Sequence, residues 1–141
     1  MKNKAFSIIE IIFTLAIISI ILIVAVPKMD NIFTNSYKTQ IKTTITLIKE
    51  GIAKEKNKLL LANSLESLNS LDEGDENLFS RVLQTPILES KIQKGACWIR
   101  IGINSYKVFI DDTNGVTFTY NQDNYSFDCN YEEQLCKELT Q

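Results

Sequence analysis

The sequence predicts an α+β fold: a long N-terminal α-helix, half of it membrane-like and half amphipathic, packed by a small antiparallel β-sheet of three to four strands. Three observations carry this. Residues 6–26 are an almost unbroken apolar run. Residues 33–52 repeat apolar side chains every three to four positions. From residue 96 onward the apolar spacing drops to two. A period near 3.6 marks a helix face and a period near 2 a half-buried strand.

The totals set the scale. The chain has 141 residues, with 15 basic and 17 acidic side chains. Setting aside the apolar run leaves about 114 residues, enough for one small domain with one modest core. The near-balanced charge offers no basic footprint, so no direct nucleic-acid contact is expected. Histidine is absent, which removes the commonest general base and most zinc sites. No phosphate loop or nucleotide-binding glycine pattern occurs, and neither enzyme activity, a metal nor any other cofactor is expected. The three cysteines, Cys97, Cys129 and Cys136, lack CxxC spacing and fit an exported domain with a disulfide.

The first element is the apolar run. As a helix, the 21 residues Phe6–Val26 reach about 31 Å, close to the roughly 30 Å of a hydrocarbon core. Lys2 and Lys4 precede it, so the positive-inside tendency keeps the lead cytoplasmic and sends the C-terminal part outward. A secretory signal would carry an apolar region of about 7–15 residues and a small-residue cleavage site. Here Ile11–Val26 gives 16 residues without a charge, and Val24-Ala25-Val26-Pro27 is a poor cleavage context. A plain anchor accounts for the length but gives Glu10 no purpose, although an uncompensated carboxylate in a membrane segment costs several kcal/mol.

The pattern Lys2-Asn3-Lys4-Ala5, then Phe6-Ser7-Ile8-Ile9-Glu10, then apolar residues to Pro27 resembles the class III leader and methylation segment of type IV pilins and type II secretion pseudopilins. The resemblance is close over the first 27 or so residues and extends to the remainder only in layout. It implies cleavage between Ala5 and Phe6 by a prepilin peptidase, and N-methylation of Phe6. Glu10 becomes the fifth mature residue, and Pro27, seventeen positions beyond it, interrupts the helix. Family members usually carry glycine before the cut; this chain carries Ala5, also small. The new amine and the Glu10 carboxylate would pair within or between chains, and in low dielectric such a pair far outweighs either ion alone. The implied protein is a structural subunit, a minor pilin or pseudopilin, of a filament used in type II secretion, pilus biogenesis or DNA uptake. Its partners would be other subunits, the peptidase and an inner-membrane assembly platform. It would start as a single-pass inner-membrane protein with a periplasmic C-terminal domain. The alternatives are an anchored periplasmic binding or adaptor domain that does not assemble and, third, a small secreted domain.

This reading divides the chain into a leader (1–5), an assembly helix (6–27), an amphipathic half (28–62), a variable connecting region (63–95) and a sheet with a C-terminal disulfide region (96–141). In the amphipathic half, Phe33, Tyr37, Ile41, Ile45, Ile48 and Ile52 form one stripe, Lys38, Lys42, Lys49, Lys54, Lys56 and Lys58 form a solvated face, and Gly51 marks a bend. In the connecting region, a short helix is expected at 76–83, burying Leu78, Phe79, Val82 and Leu83 and ended by Thr85-Pro86. A further weak helix is expected at 87–93. The Leu71–Glu76 cluster is expected to be an exposed acidic loop.

Strands follow. Cys97, Ile99, Ile101 and Ile103 alternate with Trp98, Arg100 and Gly102. Tyr106, Val108 and Ile110 make the second strand, Val116, Phe118 and Tyr120 the third, and Tyr125, Phe127 and Cys129 the fourth. Asp111, Asp112 and Asn114 could be taken for calcium ligands, but they lack the oxygen spacing of a calcium loop and read as a hairpin turn. Asn124-Tyr125-Ser126 matches a glycosylation triplet, a pattern common by chance. The tail 130–139 reads as a short helix with Asn130 and Glu133 as a capping box and Tyr131, Leu135 and Leu139 on one face. Cys129 and Cys136 bracket the strand-to-helix corner, where a bridge would close a loop of about eight residues and stabilise by about 2–3 kcal/mol. A bridge from Cys97 to either is the alternative. The pilin resemblance implies Cys129–Cys136, since that family often closes its C-terminal loop this way.

Overall fold

The computed structural model describes residues 7–63 and 67–141, leaving the side chains of 27–31 outside the described set. Its elements are helix α1 (Ile8–Leu61), strands β1 (Asn77–Leu78), β2 (Ile87–Leu88), β3 (Cys97–Gly102), β4 (Ser105–Phe109), β5 (Gly115–Asn121) and β6 (Ser126–Cys129), and helix α2 (Gln134–Thr140). The fold is α+β, with a long apolar N-terminal helix and antiparallel sheets. The chain forms two compact units, Met1–Asn35 and Ser36–Gln141.

Within Ser36–Gln141, strands β3 to β6 form an antiparallel meander in sequence order. Alternation directs one face inward: Tyr106 and Val108, Val116, Phe118 and Tyr120, then Phe127 and Cys129 are all buried. They pack with Ile41, Ile45, Ile48 and Ile52, the α1 stripe, in one core. The stripe thus obtains the cover that its apolar surface requires. Phe33, the first residue of that stripe, is half exposed and belongs to the other unit. Phe79 sits centrally, edge-on to Trp98 with centroids 5.4 Å apart and tilted against Tyr106 at 4.4 Å. Such contacts add to area burial by about 0.5–1.5 kcal/mol a pair.

Several local expectations are corrected. Residues 76–83 are not a helix: Asn77 and Leu78 form β1, paired with Ile87 and Leu88 of β2. The chain then turns at Phe79, whose φ is 60°. That left-handed backbone aims the ring into the core and cannot continue a helix. The helix expected at 87–93 is likewise replaced by β2. Gly51 marks no end or gap in α1, which runs on to Leu61. Its role is close approach, because a Cβ there would lie 2.2 Å from the Val82 carbonyl oxygen.

The inward face of β3 is also reversed. Trp98 is buried, while Ile101 and Ile103 are exposed. The register explains this: Trp98 pairs with Val108 and Arg100 with Tyr106, so both share the face of two core residues. The outer edge of β3 is occupied, because Ser90 N donates to Trp98 O at 3.0 Å and Glu89 Oε1 accepts from Arg100 N at 2.7 Å.

The C-terminal helix begins late, at Gln134. Asn130 is a turn residue instead of a cap: its Oδ1 accepts from Glu132 N at 3.0 Å. Glu133 is the N-cap but makes no side-chain capping bond. Tyr131 leaves the expected buried face and is half exposed, while Leu139 is buried. Cys129 and Cys136 are joined by a disulfide, and Cys97 is a free thiol.

Candidate functional site

The first candidate lies in the N-terminal unit. Ile8–Val26 is a helical span of 19 residues with mean hydropathy 3.0 and none of its length buried within the protein. At 1.5 Å per residue it reaches about 28 Å. By length and composition it could cross a membrane. Its hydroxyls are already satisfied: Thr14 Oγ1 donates to Ile11 O and Ser19 Oγ to Leu15 O, both at 2.8 Å. Hydroxyls bonded to their own helix can enter hydrocarbon without an orphaned donor.

Glu10 is the single charged residue in this span. It stands in the first turn, where the helix dipole favours an anion. Glu10 N and Ile11 N both donate to Ser7 O, at 3.0 and 3.3 Å. Among the described residues Glu10 enters none of the four ion pairs. The expected cleavage and methylation positions, Ala5 and Phe6, lie outside the described residues, as does the side chain of Pro27.

The second candidate is a buried polar cluster that sequence reasoning missed. Asp72, expected on an exposed acidic loop, is buried, with Leu71 beside it fully enclosed. Arg100 Nη2 lies 3.1 Å from Asp72 Oδ1, and Tyr106 Oη donates to Asp72 Oδ2 at 2.6 Å. Arg100 Nη2 also donates to Asp75 O at 2.6 Å. Burial first, then the bond to Asp72, push the Tyr106 hydroxyl pKa well above the ordinary tyrosine value. The cluster fastens the 70–77 loop to the sheet, and its chemistry is structural: a carboxylate and a guanidinium neutralise each other. The available signal was Arg100 itself, since an inward Trp98 obliges Arg100 two positions on to face inward too.

The Asp111 carboxylate serves its own hairpin. It accepts from Asn114 Nδ2 at 2.8 Å, from Asn114 N at 2.7 Å and from Thr113 N at 2.9 Å. Those bonds, led by the Asn114 side chain, hold its pKa at about 2. In the glycosylation triplet, Asn124 Oδ1 accepts from Ser126 N at 3.0 Å, closing the β5–β6 turn.

Comparison with family models, curated proteins and solved structures gave no match.

Proposed function

We propose that this chain is a structural subunit, a minor pilin or pseudopilin, of a type IV pilus-like filament. The apolar helix is the assembly device, and Ser36–Gln141 is the displayed domain. Before assembly the protein sits in the inner membrane, with Lys2 and Lys4 inside and the domain in the periplasm. A prepilin peptidase cuts between Ala5 and Phe6 and methylates Phe6, and an assembly platform draws the product into the filament. The observation that carries the reading is Glu10: one carboxylate in the first turn of an otherwise uncharged, fully exposed apolar helix. A charge in that position requires a partner in hydrocarbon, and the amine created four residues upstream is of the right sign.

Mass spectrometry of the N-terminus, on protein purified from its own host, tests this. A methylated Phe6 is expected. An intact Met1 would indicate an anchored domain that does not assemble, and a start near Lys28 a secreted one. Ala5→Glu should block processing, and Glu10→Ala should leave processing intact while abolishing assembly.

A further inference from the structure

We draw no further inference here: the strongest candidate, the open groove of about 410 Å³ between α1 and the 82–87 segment, lined by Leu47, Val82, Leu83 and Ile87 with Glu50 and Lys54 beside them, is an apolar face of mixed charge, and nothing in the structure shows what covers it.

Discussion

Removal of the Arg100 guanidinium would leave the Asp72 side chain, 2% exposed, with a buried charge and only the Tyr106 hydroxyl and the Gly74 amide as its remaining donors. Arg100→Met should therefore destabilise by about 3 kcal/mol, the low end for a broken buried pair because Arg100 keeps some solvent contact. Asp72→Asn in the same chain should recover most of that loss, since an amide carries no charge and still accepts from Tyr106. Urea denaturation of the three proteins measures both effects. The tyrosines set an alkaline limit. Burial raises Tyr106 above its ordinary value and Tyr120 to about 12. Below pH of about 10 both are neutral, folded or unfolded, and their contribution is fully present. Above it the unfolded chain ionises first and the contribution is lost as pH rises toward the folded values. The denaturation midpoint should fall between about pH 10 and 12, and Tyr120→Phe should flatten part of that fall.

At the scale of elements, α1 meets the 79–82 turn where Gly51 faces the Val82 carbonyl. Alanine usually favours a helix over glycine by about 1 kcal/mol, but here its methyl would displace backbone. Gly51→Ala should lower thermal stability, by about 1–3 kcal/mol, instead of raising it. The disulfide holding β6 to α2 should contribute about 2.5 kcal/mol on the chain-entropy model, which Cys129→Ser with Cys136→Ser would remove, measured as a lower Tm. Four strands and the Ile41–Ile52 part of the α1 stripe were legible in the sequence because each is fixed by its own periodicity. The inward face of β3 was not: three isoleucines outweigh Trp98 and Arg100 locally, and only pairing with β4 and a carboxylate from a distant loop reverse the choice. Residues 76–83 misled for a related reason. Their apolar spacing suits a helix, whereas burial of the Phe79 ring demands a left-handed backbone. Of the candidate sites, the apolar helix with Glu10 could be read from composition alone. The Asp72–Arg100 pair exists only in the folded chain.

At the scale of the whole molecule, the core belongs entirely to Ser36–Gln141, while the apolar surface of Ile8–Val26 is left uncovered. A protein shortened to 36–141 should accordingly be water-soluble and unfold cooperatively, with coincident circular dichroism and fluorescence transitions, when produced in an oxidising compartment. The full chain should require detergent or lipid. Chains gathered side by side at high local density risk fusing through open strands, as amyloid does. The amide of Ser90 and the carboxylate of Glu89 engage Trp98 O and Arg100 N on the border of β3, which takes two of its backbone groups out of reach of a crowding strand.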